Sequence, residues 1–226
     1  MSSIKYLLNE QLSLIAQSLT SPQRLEILEY LSQTERSVDE LSQLSNLSIA
    51  NTSRHLQILK QAALVVVRRA GNKRFYKLAG NDVTNLISSL RNTAKIHLAE
   101  VEYLMQSYLN KKDELEAIDA QELLERTKHN EVTILDIRPK EEFNTGHLPN
   151  AINIPPDEIN ERIKNLKKDK EIVAYCRGPY CLFAYDAIEA LRGQGFRAKR
   201  LENGFPEWKA AGYPIQQSHN LKQGGL

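Results

Sequence analysis

The segment LSIANTSRHLQILKQAALVVVRRAGNKRFYKL, residues 47–78, decides the fold of the first half of the chain. Its first part has apolar residues three and four positions apart, which predicts a helix from Ser48 to Ala63. Its second part alternates in polarity around Ala70-Gly71-Asn72, a turn-forming tripeptide, which predicts strands Leu64–Arg69 and Lys73–Leu78. We therefore expect a helix followed directly by a β-hairpin.

The residues before this segment predict three further helices. Apolar residues recur at helical spacing from Ile4 to Leu19, and Pro22 after Ser21 is typical of the start of a second helix. A short helix over 37–44 is separated from the helix at Ser48 by a tight polar turn around Asn46. Two short helices joined by a turn and followed by a hairpin form a winged helix-turn-helix, whose second helix enters the major groove of DNA.

The polar residues of this unit suit a DNA contact. We expect the recognition helix to bury Ile49, Thr52, Leu56, Leu59 and Ala63. The candidate DNA contacts lie on the recognition helix and the hairpin: Ser48, Asn51, Ser53, Arg54, His55, Gln57, Arg68, Arg69, Lys73 and Arg74. Asn and Gln pair with adenine, Arg pairs with guanine, and long cations suit phosphates. For His55, packing or a phosphate contact is an equal alternative to base recognition.

Charge distribution supports this interpretation, although the net charge of the whole chain is only +2. Residues 47–95 contain nine Lys or Arg and one acid, Asp82, which gives a local charge of 9 − 1 = +8. A basic surface on the elements expected to touch DNA indicates phosphate binding. The alternative, a solvated basic face on a helical domain, stays open.

A long helix is predicted from Val83 to Leu109. Leu90, Ala94, His97, Val101, Leu104 and Tyr108 follow steps of four and three residues, as a coiled-coil seam does. An apolar stripe of this kind favours a partner helix.

The first half resembles the ArsR family of regulators over about residues 10–108. Glu40-Leu41-Ser42 and the run from Leu47 to Val65 are similar to that family's helix-turn-helix, and Gly71 to Leu78 is similar to its wing. The resemblance implies a repressor that binds duplex operator DNA as a homodimer, through the first and last helices of this domain. Ala63 stands where the family commonly has glycine.

Metal sensing occurs in the family, but this chain does not match the ligand sets. The helix over 38–44 has no cysteine for a thiolate site. His97-Leu98-Ala99-Glu100 matches half of a second family site, whose other half would fall on Thr84-Asn85-Leu86, and two ligands do not complete a tetrahedral site. We expect no metal and no cofactor, and we assign His97 to the dimer seam.

Length and composition predict two domains. The chain has 226 residues, of which 41% are hydrophobic, with no apolar run of about 20 residues that could span a bilayer. The first residues lack the basic and apolar regions of a secretory signal, so we expect a cytoplasmic protein. The predicted organisation is a DNA-binding and dimerisation domain over 1–109, a linker over 110–117, a second domain over 118–216 and a flexible tail over 217–226.

The second half alternates strands with helices. Apolar strands are predicted at Val132–Leu135 and Glu171–Tyr175, and helices at Ala120–Arg126 and Leu182–Gly193. This alternation predicts an α/β domain with a parallel sheet flanked by helices.

Cys176 directly follows the second of these strands and precedes Arg177, Gly178, Pro179, Tyr180 and a helix. Loop amides and a helix N-terminus favour a thiolate, so Cys176 is predicted to be a nucleophile. Gly178 permits a tight curl and Pro179 removes one donor. The amides of Arg177, Gly178, Tyr180 and Cys181 are the candidate anion cradle.

Residues 118–215 resemble a single rhodanese domain. The resemblance rests on Leu135 to Arg138, Glu142-Phe143, Gly146 to Pro155, the Cys176 loop and Asn203 to Trp208. It implies that Cys176 accepts a sulfane sulfur as a persulfide and passes it to a thiol or another acceptor. We interpret Asp136, Arg138 and His147 as supporting residues that tie the strand to the following loop, with direct chemistry by His147 as the alternative.

Two positions of the loop discriminate between activities. Leu182 stands where related phosphatases and arsenate reductases have an arginine, so an oxyanion would lack its bidentate clamp. Cys181 replaces the last arginine of many thiosulfate sulfurtransferases, which argues against thiosulfate as donor. Cys181 is either an inert small residue at a helix start or the residue that resolves a persulfide or sulfenic acid on Cys176.

The sequence thus predicts a DNA-binding transcriptional regulator whose rhodanese-like domain senses or carries reactive sulfur or oxidants at Cys176 and tunes operator binding. Two alternatives remain: a sulfurtransferase that the DNA-binding domain localises or regulates, and a rhodanese module that binds a partner or anion without chemistry.

Overall fold

The computed structural model describes residues 2–109 and 117–218. Of the predicted linker and tail, residues 110–116 and 219–226 lie outside the described residues, so those boundaries stay predictions. The chain divides into two compact units, Met1–Ile87 and Ser88–Leu226.

The first unit has the predicted winged helix-turn-helix architecture. Three strands form an antiparallel sheet in the order β1-β3-β2. In chain order its elements are α1 (Ser2–Ser18), α2 (Pro22–Gln33), β1 (Arg36–Ser37), α3 (Val38–Leu44), α4 (Ile49–Gln61), β2 (Val65–Ala70) and β3 (Lys73–Leu78). The hairpin turns at Gly71-Asn72, because Ala70 pairs with Lys73 and Gly71 adopts a φ of 58°.

Side-chain caps set the starts of both helices of the helix-turn-helix. The Ser37 hydroxyl accepts from the amide of Glu40, and the Glu40 carboxylate accepts from the amide of Ser37, which is a capping box at α3. The Ser48 hydroxyl accepts from the amide of Asn51 and caps α4. These caps orient the recognition helix.

Helix α4 buries fewer residues than the sequence predicted. Thr52, Leu56 and Leu59 are buried, but Ile49 is 57% exposed because it begins the helix, beyond the edge of the core. Ala63 is also exposed and has left the helix with a φ of 56°. The prediction that these two residues are buried was wrong.

The predicted continuous helix over 83–109 was also wrong. Two helices, α5 (Asn81–His97) and α6 (Ala99–Leu109), are interrupted at Leu98. The carbonyl of Leu98 accepts from the amide of Val101 at 2.9 Å, and Glu100 and Glu102 lie in the first turn of α6. Acidic side chains stabilise a helix N-terminus, which favours a new helix at this point.

The rest of the second unit contains five parallel strands in the order β4-β8-β7-β5-β6. The elements are β4 (Ala117–Ile118), α7 (Ala120–Lys128), β5 (Val132–Asp136), α8 (Lys140–Thr145), β6 (Ile152–Asn153), α9 (Ile159–Arg162), a 3-10 turn (Ile163–Asn165), β7 (Glu171–Tyr175), α10 (Leu182–Gly193), β8 (Ala198–Leu201) and α11 (Phe205–Ala210). The predicted parallel α/β sheet is confirmed.

Strand β7 lies between two apolar cores. Ile172 and Ala174 belong to the core that contains helix α10, whereas Val173 and Tyr175 belong to the core that contains Phe205. A strand buried on both faces ends directly before Cys176, so the cysteine lies at the carboxyl edge of the sheet. Helix length and polarity together rule out a bilayer span within the described residues.

Candidate functional site

Cys176 begins a short loop between β7 and α10. The cysteine is only 2% exposed, and its carbonyl accepts from the amide of Phe205 at 3.1 Å. At the other end of the loop, Cys181 occupies the N-cap position of α10 and is partly exposed. We call residues 176–181 the cysteine loop.

A disulfide bond joins Cys176 to Cys181, with their Cα atoms 6.1 Å apart. This Cα separation is within the usual range for a disulfide. The amide of Cys181 donates to the carbonyl of Gly178 at 3.1 Å. Cys181 therefore does not contribute its amide to the predicted anion cradle, and that part of the prediction was wrong.

Arg177 binds a carboxylate that sequence reasoning had noted only as part of a motif. Its Nη2 and Nε donate to Glu142 at 2.6 and 3.0 Å, and Glu142 is fully buried. The pair fastens the cysteine loop to α8. The guanidinium adjacent to Cys176 is thus neutralised by a buried partner.

The loop backbone also packs directly on the N-terminus of α11. A Cβ atom at Gly204 would lie 2.4 Å from the carbonyl carbon of Arg177 and from the amide nitrogen of Gly178. Only glycine allows this approach. The amide of Gly204 donates to Glu207 at 3.1 Å, so the same short segment presents a carboxylate beside the loop.

Asp136 and Arg138 form a fully buried ion pair at 2.6 Å. Arg138 also donates to the carbonyl of Gly146, and the Tyr175 hydroxyl donates to Asp136 and accepts from the amide of Leu148. Burial, together with the Asp136 charge, raises the pKa of Tyr175 well above 10.0, so the phenol stays a donor. This network connects the ends of β5 and β7 to the loop after α8.

His147 makes its contacts with the same loop rather than with the cysteine loop. Its ring stacks on Phe143 with centroids 3.8 Å apart, and its Nδ1 lies 2.9 Å from the Phe143 carbonyl. Its backbone pairs with Gln216. These contacts support a structural role, which is the role preferred from the sequence.

Sequence reasoning missed a second group of residues beside the cysteine loop. Arg91 of α5 lies 3.5 Å from Glu207, and Ser88 of α5 donates to the same carboxylate at 3.3 Å. All three residues belong to the second unit. Arg91 entered the sequence argument only through its charge, and no local pattern pairs it with a residue so distant in the chain.

On the recognition helix, Ser48, Asn51, Arg54 and Gln57 are exposed, and Ser53 is half-buried. His55 is half-buried, and its Nδ1 is buried without a hydrogen-bond partner among the described residues. Burial and the charges of Arg24 and Arg54 lower the pKa of His55 from 6.5, so it is neutral at neutral pH. A cationic phosphate contact by His55 is disfavoured.

The four wing cations that the sequence predicts to contact DNA differ in their surroundings. Arg68 donates to Glu35, with Nε 3.2 Å from Oε2, and its guanidinium lies 4.9 Å from the Phe75 ring centroid. Arg69, Lys73 and Arg74 are exposed at the tip of the hairpin. Among the described residues, no group of three or more His, Cys, Asp or Glu side chains is arranged to hold a metal ion.

Comparison with known families identifies both halves of the chain. The family model described as "Bacterial regulatory protein, arsR family" matches residues 21–66, and the model described as "Rhodanese-like domain" matches residues 119–211. Both resemblances inferred from sequence motifs are confirmed.

Individual relatives match one half or the whole chain. The HTH-type transcriptional regulator Rv0324 of Mycobacterium tuberculosis is 39% identical over 223 residues, which cover 99% of this chain and 98% of that protein. A sulfurtransferase of Allochromatium vinosum is 34% identical over 100 residues, 43% of this chain and 92% of that protein. The solution structure of a homodimeric winged helix-turn-helix DNA-binding domain from Mycobacterium bovis is 34% identical, covers 43% of this chain and 91% of its own, and has a TM-score of 0.41.

The near-complete match to Rv0324 extends through both matched regions and the segment between them. The chain therefore belongs to the family of HTH-type transcriptional regulators that carry an arsR-family helix-turn-helix and a rhodanese-like domain in one polypeptide.

Proposed function

We propose that this regulator is a homodimeric repressor of the cytoplasm that binds duplex operator DNA and changes its operator affinity when oxidation or sulfuration of Cys176 leads to its disulfide bond with Cys181. One observation carries the proposal. The cysteine loop holds its two sulfurs close enough to bond, in a chain whose other half is a winged helix-turn-helix. A thiol pair that opens and closes is a chemical input, and operator binding is the output.

The DNA-facing residues are those left exposed by the fold. Asn51, Arg54 and Gln57 lie three residues apart along α4, so they share one face of the recognition helix. This spacing suits base edges in the major groove. Arg69, Lys73 and Arg74 would contact phosphates from the tip of the wing.

Dimerisation is supported by apolar residues that the fold leaves uncovered. Helix α1 exposes Ile4, Leu8 and Leu12, which is 65% exposed, and α5 exposes Leu90. Apolar side chains that recur along a helix face are expected to be covered by a partner. We assign that partner to a second copy of this chain, through α1 and the helices after the wing.

Two routes lead from thiols to the bridge. In the oxidant route, the Cys176 thiolate attacks a peroxide, becomes a sulfenic acid and releases hydroxide; the Cys181 thiol then displaces the oxygen as water and forms the disulfide. In the sulfane route, the Cys176 thiolate takes the outer sulfur of a thiol persulfide or polysulfide, which leaves as the thiolate or the shortened polysulfide, so that Cys176 carries a persulfide. The Cys181 thiol attacks the Cys176 sulfur, forms the same disulfide and releases hydrogen sulfide. Each bridge is a two-electron oxidation that reduces one peroxide to hydroxide and water, or one sulfane sulfur to hydrogen sulfide.

DNA binding in two sulfur states tests the proposal. An operator is first selected from random duplexes with dithiothreitol-reduced protein, and its affinity is then measured by fluorescence anisotropy for reduced, peroxide-treated and polysulfide-treated protein. We expect the affinity to fall about tenfold or more in a treated form, a size typical of coupled sites. The variants Cys176→Ser and Cys181→Ser should bind equally before and after treatment. Equal affinities for reduced and bridged wild-type protein would refute the proposal.

A sulfurtransferase is the second candidate, because the second half is 34% identical to a protein named as one. Against it, the bridge ties up the nucleophilic sulfur, and Arg177 is bound to Glu142. Turnover of thiosulfate or of a thiol persulfide by reduced protein, lost in Cys176→Ser and retained in Cys181→Ser, would favour the enzyme. Absence of turnover in the reduced wild-type protein would instead favour the switch.

A further inference from the structure

The second half of helix α5 contacts Glu207, beside the cysteine loop, and Tyr180, within it. Arg91 Nη1 lies 3.5 Å from the Glu207 carboxylate, and the Ser88 hydroxyl donates to the same carboxylate oxygen at 3.3 Å. The Tyr180 hydroxyl, within the cysteine loop, donates to the carbonyl of Arg91 at 3.5 Å. All of these residues lie in the second unit.

Arg91 lies directly against the loop that the disulfide closes. A Cβ atom at Gly178 would be only 3.3 Å from its Nη1, and its guanidinium carbon lies 5.9 Å from the Tyr180 ring centroid. The Arg91 side chain is 19% exposed. A displacement of Gly178 towards Arg91 would therefore press the loop backbone against the guanidinium.

Glu207 contacts the loop from the side of α11. One of its oxygens accepts from the amide of Gly204, the residue that packs on the Arg177–Gly178 peptide, and the other meets Arg91 and Ser88. Burial raises the pKa of Glu207, and the Arg91 charge opposes that rise. The carboxylate is thus held between the loop backbone and α5.

A cavity of about 330 Å³ lies beside these contacts and is lined in part by Arg91, Pro179, Tyr180 and Glu207. Side chains that border a cavity can change rotamer without overlap, whereas close-packed side chains cannot. The bridge restrains the Cα atoms of Cys176 and Cys181 to 6.1 Å, and its reduction removes that restraint. Reduction of the disulfide therefore frees the cysteine loop, and the adjacent cavity gives its side chains room to move.

The two halves of α5 have different surroundings. Val83 and Ile87, in its first half, belong to the core of the winged helix unit, whereas Ser88 and Arg91 lie at the next turn of the same helix. A hydrogen-bonded helix transmits a shift or rotation along its axis over a few turns. Helix α5 therefore carries both core residues of the winged helix unit and the residues that contact Glu207 beside the cysteine loop.

We propose that Arg91, held by Glu207, is the positioning residue that passes the open or bridged state of the cysteine loop to helix α5, and so to the DNA-binding unit. This inference rests on the proposed function, since it names the route by which that function is regulated. Arg91 takes no part in the sulfur chemistry or in DNA contact in this scheme; it determines how strongly the two are coupled.

The test compares the ratio of operator dissociation constants for bridged and reduced protein among full-length variants. Arg91→Gln removes the cation of the Arg91–Glu207 pair, and Glu207→Gln removes its carboxylate. Arg91→Lys keeps the cation. Lys209→Gln is the matched control, because it removes a charge from an exposed position of α11 that does not line this cavity.

We expect Arg91→Gln and Glu207→Gln to reduce the ratio to less than about threefold from a wild-type value of about tenfold or more. Arg91→Lys should keep most of the wild-type ratio, and Lys209→Gln should keep all of it. Thiol counting should show that every variant forms the bridge as wild type does, and reduced variants should bind the operator within about twofold of wild type. A role in stability alone would change folding or reduced-state affinity and leave the ratio unaltered.

The two proposals fail in different ways. If wild-type protein binds the operator equally in both states, the proposed function is wrong and the coupling with it. If wild type responds but Arg91→Gln and Glu207→Gln respond as fully, only the role of Arg91 is overturned.

Discussion

Arg177 donates to Glu142 from both Nη2 and Nε, so the cation that follows Cys176 in the chain is bound to a carboxylate with no exposed surface. A buried carboxylate needs such a partner, because an isolated buried charge is strongly unfavourable. The pair thus fixes one side of the cysteine loop to α8, while Gly204 and Glu207 hold the other side to α11.

The first prediction concerns this pair. Glu142→Gln should lower the free energy of unfolding by roughly 2 to 3 kcal/mol, because it leaves the Arg177 guanidinium, 11% exposed, without its charge partner. Urea unfolding followed by circular dichroism measures the change. Glu161→Gln, at an exposed position of α9, should change stability by less than about 0.5 kcal/mol. Equal effects of the two substitutions would contradict the structural role of Glu142.

The second prediction concerns the buried network below the sheet edge. Tyr175→Phe should lower the free energy of unfolding by roughly 1 to 3 kcal/mol, because both Asp136 and the amide of Leu148 lose a buried hydrogen-bond partner. Tyr213→Phe is a suitable control, because Tyr213 is only half-buried and its ring packs on Trp208. The two thermal midpoints can be compared directly, and a Tyr175→Phe midpoint that matches the control would be inconsistent with the network.

The third prediction concerns the turn after the recognition helix. Ala63 has a φ of 56°, a left-handed conformation that costs an L-residue with a Cβ atom about 1 kcal/mol or more. Ala63→Gly should therefore stabilise the fold by roughly 0.5 kcal/mol after the greater freedom of glycine in the unfolded chain is subtracted. Ala62→Gly should destabilise it, because Ala62 has a φ of −78°. A loss of stability in Ala63→Gly would contradict this conformation.

The fourth prediction is a pH dependence at the start of α3. Burial acts to raise the pKa of Glu40, but hydrogen bonds from the hydroxyl and amide of Ser37 outweigh it, so the pKa lies below the ordinary 4.5. A carboxyl whose pKa is lowered by folding stabilises the fold above its unfolded pKa, and that stabilisation is lost as pH falls through the folded value.

Glu40→Gln should accordingly be less stable than wild type at neutral pH. The difference should shrink as the pH is lowered below the ordinary value of 4.5, and it should be smallest below the lowered pKa of the folded carboxyl, where both proteins carry a neutral side chain at this position. Urea midpoints measured across this range provide the comparison. A difference that stays constant down to about pH 3 would show that the capping charge contributes nothing.

Local patterns in the sequence were sufficient to predict most helices and strands and their order along the chain. Periodicity located the recognition helix and the hairpin, and the alternation of strand and helix predicted the parallel sheet. These predictions succeeded because apolar spacing reflects which face of an element is buried. The predicted helix over 83–109 failed at Leu98, because apolar spacing continues across an interruption that backbone hydrogen bonds and first-turn acids create.

The partners of the charged side chains were not predictable from local sequence patterns. Arg68 was expected at DNA and binds Glu35, 33 residues away, and Arg177 binds Glu142, 35 residues away. Ser88 meets Glu207 across 119 residues. Ion pairs between positions so far apart leave no periodic signal, since each partner alone is indistinguishable from a solvated surface charge.

The amino-acid sequence by itself determined the two halves of this protein and the position of Cys176 directly after a buried strand, because those features depend on residues close together in the chain. Only the tertiary structure decided that Cys181 bonds to Cys176, that Arg177 turns to Glu142 and that Arg91 lies against the cysteine loop. The physical reason is that such contacts depend on where the sheet and helices bring distant residues, and that placement is set by the packing of whole elements.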